Sequence, residues 1–281
     1  MIEYIIIAIL QGLVEWLPIS SSGQVIIVAV NFFGISVENA FSLAIWLHLG
    51  TMFAVLFKFR KEFLKLLKSL RFTKNDIEEI DIKKRNWLII GTICTAITAL
   101  PLYFIFKAFL INSFTAVQGD IITLIIAGLL VITGLILLQT RKQLGTKTIL
   151  ENDIKRLNKD SIIPGLAQGI SILPGISRSG ITISAILLKD YQEDEALHLS
   201  FLMSVPAILA SIGVDIIFGG GSVFGTLDIL TILIITVVSF IVGLFSMELL
   251  LQIAKKVNFS YFCIIYGILA FIIIIPFYVF S

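Results

Sequence analysis

Apolar residues in this chain come in long unbroken runs, and polar residues interrupt them in two different ways. Six stretches, roughly 40–58, 87–109, 121–139, 197–218, 229–251 and 261–280, approach the twenty or so apolar residues that a bilayer-spanning helix needs. Barrel strands would alternate in and out, so continuous runs predict helices. Two other apolar regions fail the length test. Residues 2–14 and 24–33 are separated by Glu15-Trp16-Leu17-Pro18-Ile19-Ser20-Ser21-Ser22-Gly23, and 162–173 and 181–188 flank Pro174-Gly175-Ile176-Ser177-Arg178-Ser179-Gly180. Each pair predicts two half-helices joined by a polar turn. Irregular backbone at membrane depth is tolerated only when buried in protein or lining a cavity, so both read as re-entrant hairpins.

The two turns resemble each other. Gln11-Gly12 matches Gln168-Gly169, Leu17-Pro18 matches Leu173-Pro174, and Ser20-x-Ser22-Gly23 matches Ser177-x-Ser179-Gly180, the first and last at one offset of 157 residues. Each copy is a broken hairpin followed by three spans. Three is odd, so the second copy is inverted relative to the first, an arrangement that places a binding site at the repeat interface. The expected fold is therefore an all-α polytopic membrane protein of inverted repeats, 1–139 and 162–281, joined by a linker at 140–161.

Basic residues reach the same topology independently. Lys58 to Arg85 carries ten lysines and arginines, 140–161 carries six, and Lys255-Lys256 precedes the last run, whereas 110–120 and 219–228 have none. The positive-inside rule then makes the basic loops cytoplasmic and puts both termini outside. Trp87 opens the second span and reads as an interface anchor, and the 58–85 segment reads as a solvated loop. Composition agrees: 58% of the 281 residues are hydrophobic and 14% charged, against about 25% charged in soluble domains. The N-terminus lacks the basic region of a cleavable signal peptide. Cys94 and Cys263 have neither metal-ligand nor framework spacing and read as packing residues.

The candidate chemistry lies at the turns. Arginine at membrane depth marks function by default, and Arg178 sits inside the second turn. Serines at both turns precede half-helices and would cap N-termini that present unpaired N–H groups and partial positive charge. Two such termini plus a guanidinium fork make an anion site suited to phosphate. Ser20, Ser22, Ser177, Ser179, Gly180 and Thr182 are the expected binding residues, with Gln11 and Gln24 beside them. Glu15 would repel an anion if its task were binding alone. It reads as a general base or acid, or as a ligand for a divalent cation such as Mg or Ca. His48, inside the first span, is a second proton-transfer candidate. The plainer readings are that Arg178 pairs structurally with Glu15 or Glu248, that the serines merely cap helices, that His48 is a packing residue, and that Thr182 bonds back to its own helix. No phosphate-loop or His-Glu-x-x-His zinc motif is present, and nothing points to nucleic acid.

These residues resemble the BacA-type undecaprenyl-diphosphate phosphatases over essentially the whole chain. Gln11-Gly12-x-x-Glu15-Trp16-Leu17-Pro18-Ile19-Ser20-Ser21-Ser22-Gly23 is similar to that family's first motif. Pro174-Gly175-x-Ser177-Arg178-Ser179-Gly180-x-Thr182 is similar to its second, and Ser200-Phe201-Leu202-x-x-Val205-Pro206 to a third. The resemblance implies an enzyme that removes the terminal phosphate of a polyprenyl diphosphate, often dimeric, with its site opening outward. It implies that Glu15 is a catalytic glutamate, Ser21 the catalytic-site serine and Arg178 the phosphate-binding arginine. Gln11 stands where the pattern usually has a second glutamate, and Gln24 where it has a histidine. His48 falls where many members have glutamine, so an acid–base group has moved on this reading. A lipid-phosphate translocase or anion transporter on the same scaffold, and a catalytically inactive binding subunit, are the alternatives.

Overall fold

A computed structural model describes residues 1–70, 78–112, 118–140, 145–219, 223–256, 261, 264–265, 267–269 and 271–272. In order, the helices are α1 (Ile2–Val14), α2 (Ser21–Phe33), α3 (Val37–Lys58), α4 (Arg60–Ser69), α5 (Glu79–Asn112) and α6 (Gln118–Thr140), then α7 (Ile154–Asp160), α8 (Ile162–Ile170), α9 (Arg178–Leu187), α10 (Glu193–Phe218), α11 (Val223–Thr226) and α12 (Ile229–Lys256). Among the described residues there is no strand, only an isolated bridge between Lys147 and Tyr191. Among the described residues, five helices are long and apolar enough to cross a bilayer: Val37–Lys58, Glu79–Ala108, Ile121–Gln139, Glu193–Phe218 and Ile229–Met247. The chain is an all-α polytopic membrane protein. The expected sixth span, 261–280, lies largely outside the described residues.

Both broken hairpins form, as α1–α2 and α8–α9. The half-helices are short because each ends at a turn whose serine side chain, rather than a preceding helical carbonyl, satisfies the next N–H groups. Ser20 caps α2 by accepting from the Gly23 amide, and Ser177 caps α9 by accepting from the Gly180 amide. The hairpins do not pack on themselves alone. The most extensive neighbour of α8 is α5, and that of α1 is α12. Gly169 makes the first of these contacts possible, since a Cβ there would lie 1.7 Å from Thr98 Oγ1 and 2.5 Å from the Thr95 carbonyl. Small residues let helix backbones approach in this way where lipid offers no hydrophobic drive for association. Across the other contact, Ser246 donates to the Gly12 carbonyl at 2.7 Å. Trp16 Nε1 donates to the Gly243 carbonyl at 2.9 Å and to Ser246 Oγ at 3.1 Å. The main core, including Ile7, Val25, Leu47, Met52, Phe201 and Ile235, joins α1, α2, α3, α10 and α12.

The basic segments are more ordered than a solvated loop. Residues 60–69 form α4, and α5 begins eight residues before the expected span. Trp87 is not a surface anchor. It is fully buried against Tyr191, with Nε1 3.1 Å from Met203 Sδ. The cause is the segment after α6: Ile149 and Leu157 fold over Trp87 in a second core with Ile186 and Leu199. Lys83 secures that fold by donating to the Leu150 carbonyl at 3.0 Å. His198 also has a partner, Glu62, at 2.8 Å.

Candidate active site

The first turn begins where α1 stops at Glu15, and it reverses through Ser20, whose φ of 60° is left-handed. A non-glycine residue in that region costs about 1–3 kcal/mol and persists only where its surroundings over-determine it. Here the second turn does so, because Ser20 Oγ accepts the Gly175 amide at 3.0 Å. Gly175 has φ 104°, and a Cβ on it would strike the Ile126 carbonyl at 2.7 Å. Thr133 of α6 braces the same turn, accepting the Ser177 amide at 3.4 Å. The two polar turns are thus in direct contact, with the capped N-termini of α2 and α9 side by side.

Glu15 is the centre of the junction, its side chain 2% exposed. One oxygen, Oε2, accepts from Ser21 Oγ at 2.5 Å and from Gln11 Nε2 at 2.7 Å. The other, Oε1, accepts from Nη2 of Arg178. His48 reaches in from α3, with Nε2 3.3 Å from Glu15 Oε2, while its Nδ1 lies 2.6 Å from the Ala44 carbonyl. Both imidazole nitrogens therefore lie beside oxygen atoms, one of a carboxylate and one of a backbone carbonyl. Arg178 is only half used by its glutamate: Nε and Nη1 have no partner among the described residues.

These groups line an open cleft. Its lining is mixed: Glu15, Ser20, Ser21, Ser22, His48, Ser177, Arg178 and Ser179 are polar, and Phe41, Ile45, Ile172, Ala207 and Ile208 apolar. Polar groups together with hydrocarbon suit an amphiphile with an anionic head.

The remaining expected residues stand elsewhere. Gln11 is buried behind Glu15 and supports it. Gln24 donates to the Ile19 carbonyl at 3.4 Å, inside its own turn. Gly180 contributes its amide to the Ser177 cap. Thr182 is fully buried, and its hydroxyl has no partner among the described residues, so it does not bond back along α9. Glu248 lies in α12, and the partner of Arg178 is Glu15. Four polar lining residues, Thr95, Gln168, Ser171 and Ser211, were not candidates from sequence. The Gln168-Gly169 repeat match was the one available signal for them.

The cleft offers a divalent cation one carboxylate, Glu15. Mg is usually held by one or two carboxylates together with waters and substrate phosphates. Among the described residues no three His, Cys, Asp or Glu side chains converge as metal ligands. The one carboxylate present already holds a guanidinium.

Comparison with known proteins finds relatives along nearly the whole chain. A relative from Methanococcoides burtonii is 39% identical over 277 residues, covering 95% of this chain and 96% of its own. One from Methanothrix thermoacetophila is 36% identical over 269 residues, covering 95% and 94%. One from Saccharolobus solfataricus is 35% identical over 272 residues, covering 95% and 93%. All three carry the name undecaprenyl-diphosphatase. Residues 4–272 match the family described as bacitracin resistance protein BacA, and the chain belongs to that family.

Proposed function

We propose that this chain hydrolyses the terminal phosphate of a polyprenyl diphosphate of the undecaprenyl type and so regenerates the monophosphate carrier. The observation that carries this reading is the position of Glu15, bonded at once to a hydroxyl nucleophile and to a half-free guanidinium in a cleft whose lining includes apolar residues. The diphosphate takes the unpaired N–H groups of Arg178 and the capped N-termini of α2 and α9, while the prenyl chain packs on the apolar lining residues.

Ser21 attacks the terminal phosphorus as its proton passes to Glu15, the acceptor it already faces at 2.5 Å. The bond from that phosphorus to the bridging oxygen breaks, and the polyprenyl monophosphate leaves. The departing monophosphate takes the proton from Glu15; water then attacks the phosphoserine and gives a proton to the freed carboxylate, which passes it to Ser21 Oγ as the bond from that oxygen to phosphorus breaks and orthophosphate departs. His48 supplies or takes the proton that Glu15 exchanges during these steps. Arg178 neutralises charge on the equatorial oxygens in each, the electrostatic part of phosphoryl transfer.

The same reading carries the topology expected from sequence: two inverted halves, 1–139 and 162–281, basic loops on the cytoplasmic side, and a cleft opening outward. The reciprocal packing of α1 on α12 and α8 on α5 supports it. The test is release of inorganic phosphate from undecaprenyl diphosphate by the purified protein, alongside lipid movement in sealed vesicles. Wild type is expected to release phosphate, and Arg178→Ala to lower kcat/KM by about a hundredfold or more. Lipid movement without phosphate release would replace hydrolysis by translocation, and binding with neither would leave a binding subunit.

A further inference from the structure

Two cleft residues, Gln168 and Thr95, have no part in the steps above. Gln168 lies on α8, is 2% exposed, and shares the lining of the cleft with Thr95 of α5 and with Arg178. Its amide can face only one way. Thr95 Oγ1 has a single hydrogen, and that hydrogen is committed to a carbonyl, with Gly91 O at 2.8 Å and Gly165 O at 3.0 Å. Towards Gln168 the hydroxyl can therefore only accept. The Met203 carbonyl is an acceptor as well. Gln168 Nε2 accordingly spends its two hydrogens on Thr95 Oγ1 at 3.1 Å and Met203 O at 3.4 Å.

That leaves Oε1 as a fixed acceptor, and it has no donor among the described residues. A buried acceptor left unpaired is costly, so this one marks a place for a donor. Two residues that line the cleft thus carry buried groups without partners among the described residues, donors on Arg178 and an acceptor on Gln168. An oxyanion that carries one O–H matches both. A fully ionised oxyanion matches only the donors and turns a lone pair towards Gln168. Phosphate with a second pKa near 6 retains a P–OH in part of its population around neutrality.

We propose that Gln168, held in orientation by Thr95, is a specificity-determining residue that accepts the P–OH hydrogen bond of a singly protonated phosphate. On the diphosphatase reading, on which this inference rests, that group is the terminal phosphate of the substrate. The bonding partners of Gln168 do not titrate. The ionisable residues of the cleft are Glu15 and His48 on the α1–α2 turn and α3, and Arg178 on α9. A comparison of ligands at a single pH avoids their titration.

Sulfate supplies that comparison, because it has the shape of phosphate and no O–H near neutrality. The affinities of inorganic phosphate and of sulfate for the purified full chain are measured calorimetrically at pH 6. Wild type is expected to prefer phosphate by about tenfold or more, since sites built to bond a ligand hydroxyl reject analogues that lack it. Gln168→Leu is expected to bring the ratio to within about threefold of unity, mainly by weakening phosphate. Thr95→Val, which frees the amide to turn, should lower the ratio in the same direction, and it serves where the leucine variant does not fold. Equal affinity in wild type, binding of neither anion, or an undiminished ratio in the variants overturns the proposal. Calorimetry needs no turnover, so failure of the lipid assay would sink the diphosphatase reading separately.

Discussion

Replacing Glu15 by glutamine changes one atom and separates the roles assigned to this site. The carboxylate uses both oxygens: Oε2 for Ser21, Gln11 and His48, and Oε1 for Arg178. A glutamine oxygen kept on the Ser21 side turns its NH2 towards Nη2 of Arg178, donor against donor. Removing one partner of a buried ion pair costs about 3–5 kcal/mol. Arg178 is 13% exposed, which places the stability loss near the lower end of that range. The kinetic effect is of a different kind. A positioned general base contributes about 10²–10⁴-fold, or roughly 3–5 kcal/mol of barrier. Bound diphosphate would restore the negative charge that Arg178 had lost. The expected signature is therefore a kcat lower by about 10²–10⁴, a KM that does not rise, and a thermal stability that diphosphate restores. Release of inorganic phosphate under saturating and limiting lipid measures the first two, and melting with and without lipid the third. A kcat within about fivefold of wild type would refute the base assignment. A raised KM with kcat intact would make Glu15 a binding residue instead.

His48→Gln keeps a polar side chain at the Glu15 carboxylate but cannot carry the proton. Its phosphate release should fall by about 10²-fold with a changed pH profile, and full turnover with an unchanged profile would exclude His48 from proton transfer. Gly169→Ala puts a methyl 1.7 Å from Thr98 Oγ1 and 2.5 Å from backbone, so α8 must move off α5. The loss should reach or exceed about 3 kcal/mol, the upper end for overpacking, and an unchanged melting temperature in detergent would contradict this packing. Glu62 gives a pH-dependent test away from the cleft. Burial alone would raise its pKa, but hydrogen bonds from His198 and Lys84 prevail and hold it at about 2, below the ordinary 4.5. Its stabilisation is therefore complete above about 4.5 and lost as pH falls through about 2. Glu62→Gln should be less stable than wild type at neutral pH and lose less on acidification across that window, as followed by thermal melting.

The broken hairpins were legible because turn residues inside an apolar run leave few other readings. Ser20 and Ser177 mark the starts of α2 and α9 because a serine oxygen can hold an N–H that no helical carbonyl reaches. Arg178 and Glu15 stood out as charges at membrane depth, yet their ion pair spans 163 positions of sequence and depends on the two turns meeting. Gln168 and Thr95 left almost no local trace, since a threonine within a span ordinarily bonds its own helix, as Thr95 does with Gly91 O at 2.8 Å. The basic segments were misread for a related reason. Charge density predicts a solvated face, but Lys83 reaches the Leu150 carbonyl, and Ile149 N donates to Glu195 at 3.1 Å. Such long-range bonds order residues whose local sequence looks like loop, and they carry Trp87 into the interior.

The two glutamines that depart from the resembling pattern have different explanations. A carboxylate at position 11 would lie within bonding distance of Glu15, where two carboxylates cannot both stay charged and must share a proton. Gln11 instead donates to Glu15 Oε2 at 2.7 Å, so it orients the remaining carboxylate without competing for its proton. Gln24 is turned to the Ile19 carbonyl and holds the backbone of the turn. An ionisable group is missing there, but the imidazole of His48 approaches the same Glu15 oxygen that Ser21 uses, from a neighbouring helix. On the proposed mechanism, proton exchange in this cleft runs through one carboxylate with an imidazole at its side. His48 then takes the task of position 24, and the carboxylate of position 11 has no replacement. Because that exchange is shared, the Glu15 and His48 variants should show non-additive losses, the double variant being little worse than the more damaged single one.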